Sequence, residues 1–235
     1  MSENARHAST ATVYAPSSRP APATPMSRRP PARAGAARAP GSVRIIGGRW
    51  RGTRLAVAEA PGLRPTSDRV RETLFNWLMP ALPGARVLDL FAGTGALGLE
   101  AVSRGAAHAT LVERDPALAA ALRGHVERLG AQDRVRVVND DALRWLAAAE
   151  AAPADIAFLD PPFAAGLWEP ALRALAPRLA PGGWLYLESP PELAPVPPPD
   201  WRLHRELRTA QARAALYRGP GPACADTLAD ANPAP

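Results

Sequence analysis

The tetrapeptide Asp160-Pro161-Pro162-Phe163 closes an apolar run of strand length, Asp155 to Asp160, and its residue types point to a specific chemistry. Two consecutive prolines fix the backbone and remove two N–H donors. The Asp160 carboxylate and the Pro161 carbonyl then both face the crevice as acceptors. A planar –NH₂ group offers two donors to such a pair. Held at both, its nitrogen is drawn out of conjugation with its ring and its lone pair turns toward an electrophile. Phe163 supplies a face on which a base can stack, worth about 1–3 kcal/mol. The transfer needs alignment at about 3–3.5 Å, with no metal and no covalent nucleophile.

A second motif offers a cradle for the electrophile. Asp89-Leu90-Phe91-Ala92-Gly93-Thr94-Gly95-Ala96-Leu97-Gly98 takes a strand into a glycine-rich turn and then a helix. Glycine lets the backbone approach a ligand closely. Gly93 to Gly98 match G-x-G-x-x-G, a pattern shared with dehydrogenases, and a turn serving helix–strand packing alone would look the same. Asp89 shifts the balance. A carboxylate at the strand end suits a cofactor with an ammonium group better than an anionic pyrophosphate. Phe91, Ala92, Gly93, Thr94 and Gly95 complete this candidate site. Glu113, 20 positions after Gly93, ends the next strand and can accept from two ribose hydroxyls. Asp115, before Pro116, can cap the following helix. Asp141, in Asn139-Asp140-Asp141-Ala142, can accept from an adenine amino group, cap the helix starting at Ala142, or do both. An amino-acid end, a ribose and an adenine describe an adenosine cofactor that bears an amino acid and could present a sulfonium methyl.

These motifs need rigid elements to hold them. Five apolar runs of strand length are bounded by turn residues: 86–90, 109–113, 134–138, 155–160 and 184–188. Helical patterns separate them. In the clearest, Pro116 opens a helix, Leu118, Leu122, Val126 and Leu129 share a face, and Gly130 ends it. Residues 142–149 and 170–175 are shorter candidates. Alternating strands and helices predict a parallel sheet covered on both faces. Residues 201–207 and 212–216 alternate like a closing hairpin. Val43 to Leu55, with Gly47, Gly48 and Gly52, reads as a small β-hairpin. Thr66-Ser67 offers an N-cap for a helix whose Val70, Leu74, Trp77 and Leu78 share a face.

The chain has 235 residues, 47% hydrophobic, and a net charge of +6. That length allows one substantial domain plus tails. Residues 1–41 are rich in Pro, Ala, Ser and Arg and are expected to be disordered, as is 219–235. Met26 offers an alternative start, and an organelle transit peptide is a further option for the Arg-rich leader. The folded domain is then 42–218, split into an appendage over 42–82 and a core over 83–218. No apolar stretch reaches the roughly 20 residues that span a bilayer, and no signal peptide is visible. The single cysteine, Cys224, excludes an internal disulfide and a multi-cysteine zinc site, which makes the cytoplasm the expected compartment. All 28 basic residues are arginine, in keeping with GC-rich coding. Residues 1–41 carry six arginines against one acid, and residues 44–71 carry seven against two, so each segment is +5. The remaining 15 arginines face 19 acids, or −4. Charge polarised to the N-terminal third suits a polyanion, although a solvated basic face would read alike. His7, His108, His125 and His204 show no ligand or triad spacing, so no metal is expected. Trp50 and Trp168 read as packing residues.

Residues 44–52, Arg-Ile-Ile-Gly-Gly-Arg-Trp-Arg-Gly, and residues 62–78, Gly-Leu-Arg-Pro-Thr-Ser-Asp-Arg-Val-Arg-Glu-Thr-Leu-Phe-Asn-Trp-Leu, resemble the RsmD-type bacterial 16S rRNA guanine-N2 methyltransferases. The Asp89 and Asp160 motifs match as well, so the likeness runs from about Val43 to Arg218. The resemblance implies a Rossmann-like class I methyltransferase: an α/β fold with a mostly parallel seven-stranded sheet, a C-terminal antiparallel hairpin and a small N-terminal β-hairpin and helix. It implies S-adenosylmethionine as donor and a guanine of small-subunit rRNA, free or in an assembling subunit, as acceptor. A monomer is expected. Arg44, Arg49, Arg51, Arg64, Arg69 and Arg71 would contact RNA phosphates, and the guanine would have to be unstacked into the crevice.

Other acceptors share the Pro-Pro-aromatic geometry: adenine N6, cytosine N4 and glutamine amides. Asp in place of Asn at position 160 weakens the glutamine option, and the lack of a target-recognition domain weakens the DNA option. A non-catalytic RNA-binding assembly factor on the same fold is a third option, against which the intact Gly93, Gly95, Glu113 and Asp160 argue.

Overall fold

The computed structural model describes residues 41–57, 67–148 and 152–221. Residues 1–40 and 222–235 of the two expected tails, and Arg64, lie outside them. A two-stranded hairpin comes first, β1 (Ser42–Arg44) against β2 (Arg54–Ala56), with buried Val43 opposite buried Leu55. Helix α1 (Asp68–Leu78) follows, and the Ser67 hydroxyl caps it by accepting from Val70 N–H at 3.3 Å. The expected apolar face holds for Val70, Leu74 and Leu78. Phe75 and Arg71 join it in the interior, while Trp77 stays half-buried.

The core then alternates as expected. It runs β3 (Arg86–Asp89), α2 (Ala96–Ser103), β4 (His108–Glu113), α3 (Pro116–Arg128), β5 (Val135–Asn139), α4 (Ala142–Ala148), β6 (Ala154–Leu159), α5 (Trp168–Leu175), β7 (Leu179–Ser189), β8 (Arg202–Arg208) and β9 (Arg213–Arg218). The seven strands form one sheet in the order β5-β4-β3-β6-β7-β9-β8. All neighbours are parallel except at β9, which runs antiparallel to β7 and β8. From β3 the chain winds outward to β4 and β5, then returns to place β6 on the other side. That reversal opens a crevice at the carboxyl ends of β3 and β6.

Alternation along the strands divides the core into two layers. Phe158 and Tyr186 face α1 and pack in a ladder of edge-to-face rings with Phe75, at centroid distances of 6.0 and 6.1 Å. Leu159 and Leu187, one position on, face the opposite side with Leu172 and Leu175 of α5. The closing hairpin is present, but its edge strand does not alternate cleanly. A register shift between Leu203 and Arg205 leaves Leu203 52% exposed. Among the described residues, no helix is long and apolar enough to cross a membrane.

Candidate active site

The glycine-rich turn is built from beneath. Ala92 N–H donates to Val112 O at 3.0 Å, which ties the turn to β4. Gly93 and Gly95 have φ of 51° and 78°, values that side chains disfavour. A Cβ on Gly98 would lie 2.0 Å from a Leu111 methyl, so α2 packs on β4 more closely than alanine allows. Asp89 is only 2% exposed, and its Oδ2 accepts from Gly98 N–H at 3.0 Å. Burial pushes its carboxyl up to about 7, against the pull of the Gly98 N–H and with a smaller push from Glu113. The carboxyl lies under the turn and fixes its shape.

Glu113 stands at the tip of β4. Its Oε2 accepts from Gly93 N–H at 2.9 Å and its Oε1 from Asp115 N–H at 2.8 Å. A carboxylate has about four lone-pair sites, so two backbone donors orient it and leave capacity for a ligand's hydroxyls. Asp115 caps α3 through Ala117 and Leu118 N–H. Asp141 accepts from Leu143 and Arg144 N–H at 3.0 and 3.1 Å through a single oxygen, Oδ1. The capping alternative for Asp141 is therefore realised. The neighbouring Asp140 pairs with Arg144, whose hydrogen bond holds its carboxyl below the usual range.

Across the crevice Asp160 follows the last residue of β6, half-exposed, with Pro161 buried behind it. Pro162 is exposed, and its carbonyl accepts from Ala165 N–H at 2.9 Å to start the short 3₁₀ turn Phe163–Ala165. Phe163 is 38% exposed and leans on Trp168, with ring centroids 5.9 Å apart. Trp168 is itself buried and donates from Nε1 to Glu188 O at 2.8 Å. An aromatic face is thus anchored beside Asp160 and open to a base.

The arginines separate into two groups. Arg44, Arg49, Arg51 and Arg69 are exposed. Arg71 is not, which corrects its placement among the phosphate-contacting residues. Its side chain is 0% exposed, bonded to Asp68 at 2.6 Å, to Arg44 O at 2.8 Å and to Glu100 at 3.4 Å. It is a core residue of the appendage.

Glu100 and Ser103, which the sequence reading passed over, explain how the appendage is held. Glu100, wholly buried on α2, accepts from Ile46 N–H at 2.8 Å, Gly47 N–H at 2.7 Å and Arg104 Nε at 2.8 Å. Ser103 Oγ donates to Gly47 O at 2.6 Å and accepts from Trp50 N–H at 2.9 Å. Gly48, with φ 74°, lies so close that a Cβ would sit 1.9 Å from Ser103 O. Arg104 stacks over Phe75, 5.1 Å from its centroid. The pairs Arg71–Glu100 and Phe75–Arg104 tie α1 to α2 and its C-cap. The signal available in sequence was a charged and a polar residue inside the otherwise apolar Ala96–Ser103 run.

Comparison with known proteins agrees with this architecture. The family described as Conserved hypothetical protein 95 matches residues 43–218. Ribosomal RNA small subunit methyltransferase D of Escherichia coli K12 is 49% identical over 181 residues, covering 76% of this chain and 90% of that protein. Its Haemophilus influenzae counterpart of the same name is 41% identical over 184 residues, covering 77% and 95%. The solved structure of a putative methyltransferase, yhhF, from Escherichia coli superposes with a TM-score of 0.71 at 45% identity, covering 77% of this chain and all (100%) of that one. The glycine-rich turn over β3, the acid at the tip of β4, the Asp-Pro-Pro-Phe motif after β6 and these matches lead to one assignment: the chain belongs to the RsmD-type family of class I methyltransferases.

Proposed function

We propose that the protein methylates the exocyclic N2 amine of a guanine in small-subunit rRNA, in the cytoplasm, on free RNA or an assembling subunit. The relatives named for small-subunit rRNA methylation support the substrate class. The observation that carries the chemistry is Asp160 at the tip of β6, next to buried Pro161 and the anchored face of Phe163, across the crevice from the Gly93–Glu113 turn.

The donor is S-adenosylmethionine, and the residues fit it. The turn 93–95 gives close backbone approach, the oriented Glu113 carboxylate suits the ribose hydroxyls, and Asp141 stands at the adenine end. When bound, the donor supplies an electrophilic methyl group on a cationic sulfur. The chain does the rest. Phe163 stacks the unstacked base. Asp160 and the Pro161 carbonyl accept the two N–H bonds of the amine, which localises its lone pair and points it at the methyl carbon. As the N–C bond formed, the methyl–sulfur bond would break with its pair left on sulfur, and the cationic amine would lose one proton to solvent by way of the Asp160 carboxylate. Catalysis on this account is alignment with electrostatic support, since the Asp160 carboxylate favours the positive charge developing on the amine. The exposed Arg44, Arg49, Arg51 and Arg69 hold RNA phosphates, and Arg64 is proposed to join them.

The test is transfer of labelled methyl from the donor to small-subunit rRNA or subunits, followed by nucleoside digestion. Label in N2-methylguanosine is the expected result. Label confined to protein or DNA would exclude the proposal.

A further inference from the structure

Glu188 is a buried carboxylate that the grip on the amine does not use. It lies at the carboxyl end of β7, beside β6. Phe158 pairs with Tyr186 and Leu159 with Leu187, so Glu188 is the next residue of β7 and Asp160 is the first residue past the end of β6. Neighbouring strands lie about 4.8 Å apart. Residues two apart on a strand share a face, so Glu188 follows Tyr186 on the side covered by α1, and the charge of Asp160 acts on the Tyr186 hydroxyl as well. Glu188 is 7% exposed, and its Oε2 accepts from the Tyr186 hydroxyl at 2.7 Å. Tyr186 is wholly buried. Burial first, then the charges of Glu188 and Asp160, hold its hydroxyl far above its ordinary titration range. The phenol therefore keeps its proton and donates to Glu188, and a carboxylate, with about four lone-pair sites, can accept from more than one donor.

We infer that Glu188 selects guanine, by accepting the N1–H of the unstacked base while Asp160 and the Pro161 carbonyl hold its 2-amino group. The inference rests on the guanine-N2 proposal and adds the residue that enforces it. Guanine presents N1–H and the 2-amino group side by side, so its Watson–Crick edge offers adjacent donors to two adjacent carboxylates. Adenine and cytosine each place a ring-nitrogen lone pair beside the amine. That lone pair would face Glu188 without a proton between them, a repulsion that rejects the wrong base. Tyr186 acts through Glu188 as a positioning residue.

The experiment compares RNA carrying guanine with RNA carrying 2-aminopurine at the target position, by single-turnover methyl transfer with saturating donor. 2-Aminopurine keeps the 2-amino group but has a lone pair at N1. The wild-type protein is expected to prefer guanine by about 10- to 100-fold, the discrimination that a well-placed base contact supplies. Glu188→Gln should bring the two rates within about threefold, chiefly by losing rate on guanine, because the contact is then no longer specific for N1–H. Tyr186→Phe, which keeps the carboxylate but removes the hydroxyl that donates to it, should give an intermediate ratio. Melting and donor binding confirm the fold of each variant. A wild-type ratio in folded Glu188→Gln overturns the inference. Should that variant fail to fold, a wild-type ratio in Tyr186→Phe overturns it instead. If the wild-type protein methylates no guanine, the underlying proposal fails, a result distinct from an unchanged ratio.

Discussion

Arg71 and Glu100 meet between α1 and α2 at 3.4 Å, with both side chains wholly buried. A charge pair out of water is retained only with good partners, and removing one member strands the other. Here each has several. Arg71 also ties Arg44 O and Asp68, and Glu100 also ties the backbone of Ile46 and Gly47. Arg71→Met should therefore lower stability by about 3 kcal/mol, read as a fall in the denaturant midpoint. If Arg71 were a phosphate contact, the loss would appear in RNA affinity and its salt dependence, with the midpoint unchanged.

The exposed arginines should behave in the opposite way. Arg49→Ala, Arg51→Ala and Arg69→Ala remove side chains that stand in solvent. Each that contacts a phosphate should weaken RNA binding and reduce the slope of log affinity against log salt by about 0.7–0.9. Titrations at several salt concentrations read this directly. Melting temperatures should stay at the wild-type value.

Asp89 gives a pH signature. Its carboxyl is pushed up to about 7 in the folded protein, from an ordinary value of 3.8. Between those pH values the folded state holds a proton that the unfolded chain has released. The stability from this group is thus fully present below about pH 4 and is lost as pH rises through 7. Asp89→Asn keeps an acceptor for Gly98 N–H and does not titrate. Wild-type stability relative to this variant should fall across pH 4 to 7, by at most about 1.4 kcal/mol per pH unit, and level off above. A difference independent of pH would contradict the burial argument.

Glu113 holds both the turn and, on this account, the ribose. Glu113→Ala leaves Gly93 N–H and Asp115 N–H without their acceptor. Donor affinity by calorimetry should drop by about 10- to 100-fold, in line with hydrogen bonds to a charged group. Retention of wild-type affinity would remove Glu113 from the cofactor site.

Much of this was legible in the residues. Apolar runs separated by Gly and Pro marked the strands, because the period of two and the turn chemistry are local properties. Ser67, Asp115 and Gly130 marked helix ends for the same reason. What stayed hidden depends on distant pairing. Arg71 sits three residues after an exposed aspartate in an Arg-rich segment, and only the packing of α1 on α2 shows that it is interior. Glu100 and Glu188 read as ordinary acids until the backbone of Ile46 and Gly47 and the Tyr186 hydroxyl are seen on them. Asp89 was legible as important, but its depth beneath the turn depends on Gly98 folding back over it.

The most direct test of the central claim is single-turnover methyl transfer by Asp160→Ala, with donor and RNA affinities measured on the same preparation. Both affinities should stay near wild type. The transfer rate should fall by at least about 100-fold, the scale of losing one group that acts on charge developing in the transition state. A wild-type rate in this variant would contradict the account.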